Sequence, residues 1–200
     1  MSGIAAVILA AGRATRFGSG ATTKVTAELS GVPLVRRVAM AALASRARPV
    51  IVVTGHAAGQ TSSALEECDV EIVHSADYGA GLAHSLRAGL AVVPAAAAGA
   101  IILLADMPLV SNVLIDRLIS AFEASAYATA VIPTYDGRRG NPVLIARALF
   151  AELMELDGDR GASQILSNAA GVVECPVADP AIFADIDTPD DLLAVRARGA

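Results

Sequence analysis

Short apolar runs rich in β-branched residues alternate along the chain with longer stretches whose apolar positions recur every three or four residues. Residues 4–10, 50–54, 70–74, 100–105 and 128–133 form the continuous runs, which predict strands buried on both faces. Residues 34–46, 57–67, 82–93 and 112–124 have helical spacing and helical length. Beyond Pro133 the rhythm breaks. A polar, glycine-rich loop over 134–141 precedes a short apolar run at 142–146 and a helix around 149–156. A GDRG turn at 158–161, a helix over 162–168 and a strand over 172–177 follow. Thr188-Pro189-Asp190-Asp191 predicts the start of a last helix, with Thr as N-cap, Pro in the first turn and acids complementing the dipole.

This alternation implies an α/β fold in three layers, a Rossmann-like, mainly parallel sheet with helices on both faces. In such sheets ligands lie beyond the carboxyl ends of the strands. The loops after Ala10, Thr54, His74 and Ala105 are therefore where chemistry is expected. No internal repeat or linker divides the 200 residues, so one domain over 1–200 is expected.

Composition narrows the partners. The chain is 54% hydrophobic and 18% charged, enough to bury a sizeable core. Its net charge of −5, with no block of Lys or Arg, points away from nucleic acid and toward small molecules or a protein. The apolar start has no positive charge before it, the wrong order for a signal peptide. The run over 91–105 is interrupted by Pro94 and Gly99 and ended by Asp106, short of a membrane span. A cytoplasmic protein that does not enter a membrane is the expectation. Cys68 and Cys175 are too few for a disulfide framework or a zinc site and read as core thiols. His56, His74 and His84 lie on three different elements without metal-ligand spacing. His56 and His84 follow loops of interest and stand either against substrate or in structural positions.

Three stretches carry candidate chemistry. The first strand runs into "AAGRATRFGSGATTK", a loop of small residues with Arg13, Arg16 and, at its end, Lys24. Gly12 allows a sharp turn and lets backbone N–H groups face a phosphate. The loop fits neither the Walker A pattern nor the dinucleotide fingerprint. It is either a phosphate-binding loop or a flexible surface loop with solvated arginines. In "ILLADMPLV", Asp106 directly follows a buried strand; it is either a rigidly presented Mg²⁺ ligand or a helix cap. In "DIDTPDD", Asp185 and Asp187 flank Ile186 and project to one side if the segment is extended. One of them supplies a second carboxylate, or the cluster only caps the last helix.

Taken together, LAAG followed by R-F-G, Lys24 and G-x-P-L, then D-M-P at Asp106 and a final D-I-D-T-P-D-D-L, resemble the MobA-like nucleotidyltransferases. V-x-x-G at Val52 to Gly55, "ADYGAGLAHSL" at Ala76 to Leu86, "RRGNPV" at Arg138 to Val143 and "GDRGA" at Gly158 to Ala162 extend the likeness over nearly the whole chain. Within that family the molybdenum cofactor cytidylyltransferases are the nearest group.

The resemblance implies transfer of CMP from CTP to the terminal phosphate of molybdopterin, with release of pyrophosphate. It implies catalytic roles for Arg16, Lys24 and Asp106. Nucleotide contacts fall to Leu9, Ala10, Ala11, Gly12, Arg13, Gly55, Gly81 and Ser85, and a Mg²⁺ site to Asp106 and Asp187. It implies a molybdopterin-type acceptor and a molybdoenzyme or its chaperone as partner. The methyl of Ala11, where the guanylyl branch carries glycine, favours CTP over GTP. A non-catalytic carrier of nucleotide or cofactor, or a transferase with another phosphorylated acceptor, are the alternatives. The chain departs from the family pattern at three places. Five residues, Ser19 to Thr23, precede Lys24 where two or three are usual; Glu28 replaces a common Pro, and Asn141 a common His. The long insertion leads to the expectation of a displaced Lys24.

Overall fold

The all-apolar run IAAVILA forms β1 (Ile4–Ala10), buried along its whole length. The computed structural model describes residues 3–12, 23–159, 161–167 and 169–197. After a single turn of 3₁₀-helix (Lys24–Thr26) come the two-residue strands β2 (Glu28–Leu29) and β3 (Val32–Pro33), then α1 (Leu34–Ala44), β4 (Val50–Thr54), α2 (Ala58–Ala64) and β5 (Glu71–His74). The chain continues through α3 (Leu82–Ala91), β6 (Gly99–Leu104), α4 (Asn112–Ala124), β7 (Ala130–Tyr135), β8 (Arg138–Arg139) and β9 (Val143–Ala146). It ends with α5 (Phe150–Met154), α6 (Ala162–Leu166), β10 (Val172–Pro176) and α7 (Pro189–Ala197).

The strands lie in the order β10-β7-β9-β6-β1-β4-β5, with β8 paired to β7. β1 runs parallel to β4 and β6, opposing Ala6 to Val50 and Ile4 to Gly99. β9 is antiparallel to both its neighbours, and β8 to β7. The fold is thus α/β, with a mostly parallel mixed sheet between helices.

The period-two alternation of a strand divides the core. Ala6, Ile8 and Ala10 pack with Val38 of α1 and Ile115 and Leu118 of α4 on one face. Ala5, Val7 and Leu9 pack with Leu86 and Leu90 of α3, Leu153 of α5 and Leu166 of α6 on the other. A third, smaller cluster joins Ala27, Leu29 and Leu34 to Ile186, Leu192 and Val195, with Leu109 against it.

Four expectations change. β5 is the sheet's edge, with Glu71, Ile72 and His74 exposed, so it is not buried on both faces. The polar 134–141 loop contains the end of β7 and all of β8, because backbone pairing with Thr134 and Tyr135 outweighs the polarity of Arg138 and Arg139. The 142–146 run becomes an antiparallel strand inserted between β6 and β7. Helices expected to reach Arg46, Glu67 and Val93 stop at Ala44, Ala64 and Ala91. Cys175 is a buried free thiol, whereas Cys68 is half-buried.

Candidate active site

Past Ala10 the chain leaves β1 through Ala11 and Gly12, which line a cleft of about 780 Å³ over the carboxyl ends of β1 and β6. Lys24, Asp106 and Asp187, from three distant segments, meet in its wall. The Lys24 ammonium lies 2.6 Å from Asp106 Oδ2 and also donates to Asp187 Oδ1. Its side chain is only 12% exposed. Burial alone would lower the Lys24 pKa. The attraction of Asp106, and then of Asp187, outweighs burial and holds the ammonium above its ordinary value. The five residues before Lys24 do not carry it away from these acids.

Local structure explains the meeting. Ile186 is wholly buried in the small third cluster, and its N–H donates to the Asp106 carbonyl at 2.9 Å. That bond ties the two acid-bearing loops together. Ala27, which closes the turn begun by Lys24, packs in the same cluster. Neither acid is a helix cap. Ser111 caps α4, its hydroxyl accepting from Leu114 N at 3.2 Å. At α7, the Asp191 carboxylate accepts from Thr188 N at 2.7 Å, and Asp191 N donates to Thr188 Oγ1 at 3.2 Å, a reciprocal capping box. Asp185 is exposed and does not line the cleft.

The acids suit a divalent metal. Among the described residues, Asp106 Oδ1 is buried without a hydrogen-bond partner, while Oδ2 meets a cation. A desolvated carboxylate oxygen beside a second carboxylate fits Mg²⁺, which takes one or two protein carboxylates and completes its shell with water and phosphate. Among the described residues no group of three acids, His or Cys forms a closed metal cage.

The remaining candidates divide. Leu9, Ala11, Gly12, Gly81 and Ser85 line the cleft. Ala10 is buried beneath it, in the sheet core. Gly12 does not adopt the left-handed φ that favours glycine, and among the described residues nothing stands within 4 Å of where its Cβ would be. Gly55 stands behind the cleft wall. A Cβ there would come within 2.7 Å of the Ala11 carbonyl and of Tyr78, so glycine lets Tyr78 seat against β1's end. Gly81, at φ +124, lets the start of α3 touch the Gly158 carbonyl, to which Ala83 N donates at 3.1 Å. Arg13 and Arg16 lie outside the described residues. His56 and His74 pack around the Tyr78 ring, and His84 Nε2 lies 3.6 Å from Asp157 Oδ1; none of the three histidines lines the cleft.

Sequence reasoning missed Tyr78, Gly79 and Asp159 as lining residues. Tyr78 between small residues after a strand was a usable signal. Asp159 was not, because only the Gly81–Gly158 contact brings its loop to the cleft.

A second cavity, of about 300 Å³, adjoins the first. Leu9, Leu82 and Leu104 line both. Its walls add Leu86, Ile102, Ile132, Val143 and Leu166, with Arg139, Asn141, Ser163 and Ser167 as the polar side chains.

Comparisons with known proteins agree with this architecture. A curated relative, the bifunctional protein GlmU of Streptomyces griseus subsp. griseus, is 36% identical over 131 residues, 64% of this chain and 27% of that protein. The chain thus spans about a quarter of the length of that relative. The crystal structure of Rv0371c from Mycobacterium tuberculosis H37Rv superimposes with a TM-score of 0.86 at 27% identity, covering 98% of both chains. A complex of Rv0371c with manganese gives 0.79 at 28% identity, again over 98% of both. The family model for the MobA-like NTP transferase domain matches residues 6–189, and the chain belongs to that family of nucleotidyltransferases.

Proposed function

We propose that this protein transfers CMP from CTP to the terminal phosphate of a molybdopterin-type acceptor in the cytoplasm, releasing pyrophosphate. The observation that carries the reading is the convergence of Lys24, Asp106 and Asp187 in the wall of a cleft floored by Ala11 and Gly12. In the reaction an acceptor phosphate oxygen forms a bond to the α-phosphorus of CTP, and the bond from that phosphorus to pyrophosphate breaks. Such a transfer asks for positioning and charge neutralisation more than covalent help.

Asp106 and Asp187 would hold Mg²⁺, which when bound neutralises charge on the phosphate oxygens. Lys24 supplies positive charge to the triphosphate, and Arg16 and Arg13 to its outer phosphates. The Ala10-Ala11-Gly12 backbone and the Ser85 hydroxyl read the cytosine edge, beside Leu9 and Gly81. The Ala11 methyl crowds a purine. Gly55 acts through its packing on Tyr78.

The adjoining cavity supports an acceptor with a planar ring body: Leu86, Ile102 and Leu166 offer apolar wall to the ring faces, and Arg139, Asn141, Ser163 and Ser167 offer partners to polar groups on its edges. The product would pass to a molybdoenzyme or its chaperone. A carrier that binds without transferring is the second reading, since the same cleft can hold a nucleotide without completing the transfer. Screening the four nucleoside triphosphates against phosphorylated pterin and sugar acceptors for pyrophosphate release separates the two. Release with CTP and the pterin phosphate is expected; tight binding with no release from any pair supports the carrier.

A further inference from the structure

The two carboxylates of the cleft already hold a cation, and it belongs to the protein. Lys24 Nζ sits between Asp106 Oδ2, at 2.6 Å, and Asp187 Oδ1. A divalent ion bridging the same oxygens would stand about 2.0–2.1 Å from each. Ammonium and metal would then overlap, and two cations so close repel strongly. Only one can occupy the gap.

We propose that Lys24 is a placeholder for the metal: it gathers Asp106 and Asp187 before substrate binds, opposes free metal, and leaves when a triphosphate offers its charge another partner. The lysine is suited to this, being a point charge on a flexible four-carbon stem. Its departure frees Asp106 Oδ2 next to an Oδ1 that, among the described residues, is already buried and unpaired. Metal and nucleotide consequently bind in concert, each favouring the other by the same factor. The competition between Lys24 and metal stands on the geometry alone, whereas the role of the triphosphate rests on the nucleotidyltransferase reading.

The test uses Mn²⁺ as probe, titrated by calorimetry into the 200-residue protein without nucleotide. Lys24→Met should bind Mn²⁺ about tenfold or more tightly than wild type, because the competing charge is gone. The double variant Lys24→Met/Asp106→Asn should lose that gain. Equal or weaker binding by Lys24→Met overturns the proposal. A second measurement needs no variant. Lysine acetylation quantified by mass spectrometry should rise at Lys24 in the wild-type protein when Mn²⁺ is saturating, and unchanged labelling overturns the proposal. Competition in a protein that transfers no nucleotide would sink the transferase reading and leave the placeholder standing. Transfer without competition would do the reverse.

Discussion

The two adjoining cavities share Leu9, Leu82 and Leu104 and differ in almost everything else. The larger presents charge, with Lys24 opening a 3₁₀ turn and Asp106, Asp159 and Asp187 carried on loops that leave strand ends or precede helices. The smaller presents shape, with Leu86, Ile102, Ile132 and Leu166 that also belong to the sheet–helix core. A loop can change its charges at little cost to the fold. A wall made of core residues cannot change its outline without repacking. Recognition of the triphosphate should therefore respond to single charge changes, and recognition of the acceptor to small changes of polarity.

The largest effect is expected at the charged side. Asp106→Asn keeps the shape of the side chain and removes the carboxylate that meets Lys24, so kcat should fall by about 10²-fold or more. Pyrophosphate release at saturating Mg²⁺ measures it, and activity within a few-fold of wild type would remove Asp106 from the chemistry.

Next comes the boundary of the base site. Ala11→Gly should relax exclusion of GTP by about tenfold, the scale of a methyl-sized misfit. Ser85→Ala should reduce use of CTP without improving GTP. Relative kcat/KM for both nucleotides in the two variants decides this, and a wild type that prefers GTP overturns the base assignment.

On the apolar side, Val143→Thr places a hydroxyl in a wall of the smaller cavity with almost no change of volume. It should raise the acceptor KM roughly fivefold, as an unpaired hydroxyl does, and leave the calorimetric Kd for CTP unchanged. A shift in both constants would mean that the two cavities do not act separately.

The site was partly legible before the fold was known. Lys24, Asp106 and Asp187 stand in recognisable motifs, and Asp106 directly follows an apolar run that positions it. The central strands β1, β4 and β6 were equally plain, because burial on both faces leaves an unbroken apolar run. The edge strand β5 is the exception to the expected burial, since the five-residue run over 70–74 has too little alternation to reveal an exposed face. β8 was legible but overlooked: Asp136-Gly137, both at positive φ, turn β7 directly back onto Arg138 and Arg139, a local hairpin signal that the polarity of the stretch hides. The pairing of β9 with β6, by contrast, is a non-local choice that local polarity does not encode. Asp159 and the apolar cavity depend on α3 and α6 meeting through Gly81 and Gly158, a contact 77 positions apart in number that no short motif announces. Arg13 and Arg16 lie outside the described residues, and their roles rest on the sequence.

The smallest expected effect separates the seating of the site from its chemistry. The Asp191 carboxyl is held below its ordinary value of 3.8 by the Thr188 hydroxyl, then by the Thr188 N–H. Because the folded value is depressed, this stabilisation is complete above the ordinary carboxylate range and is lost as pH falls through the folded value. Thr188→Ala should lower Tm by roughly 2–4 °C at neutral pH. The difference from wild type should shrink in acid below that range. A pH-independent difference would place the loss elsewhere than in the capping box.

The central claim is that the CMP part of a triphosphate held by charge passes to an acceptor held against an apolar wall, with pyrophosphate leaving. It is tested most directly by incubating the protein with CTP labelled at the α-phosphate, Mg²⁺ and either molybdopterin or a hexose 1-phosphate. The account predicts label transferred to the pterin phosphate with equimolar pyrophosphate, and little transfer to the sugar. Label passing to the sugar phosphate in preference, or to neither while CTP stays bound, would contradict it.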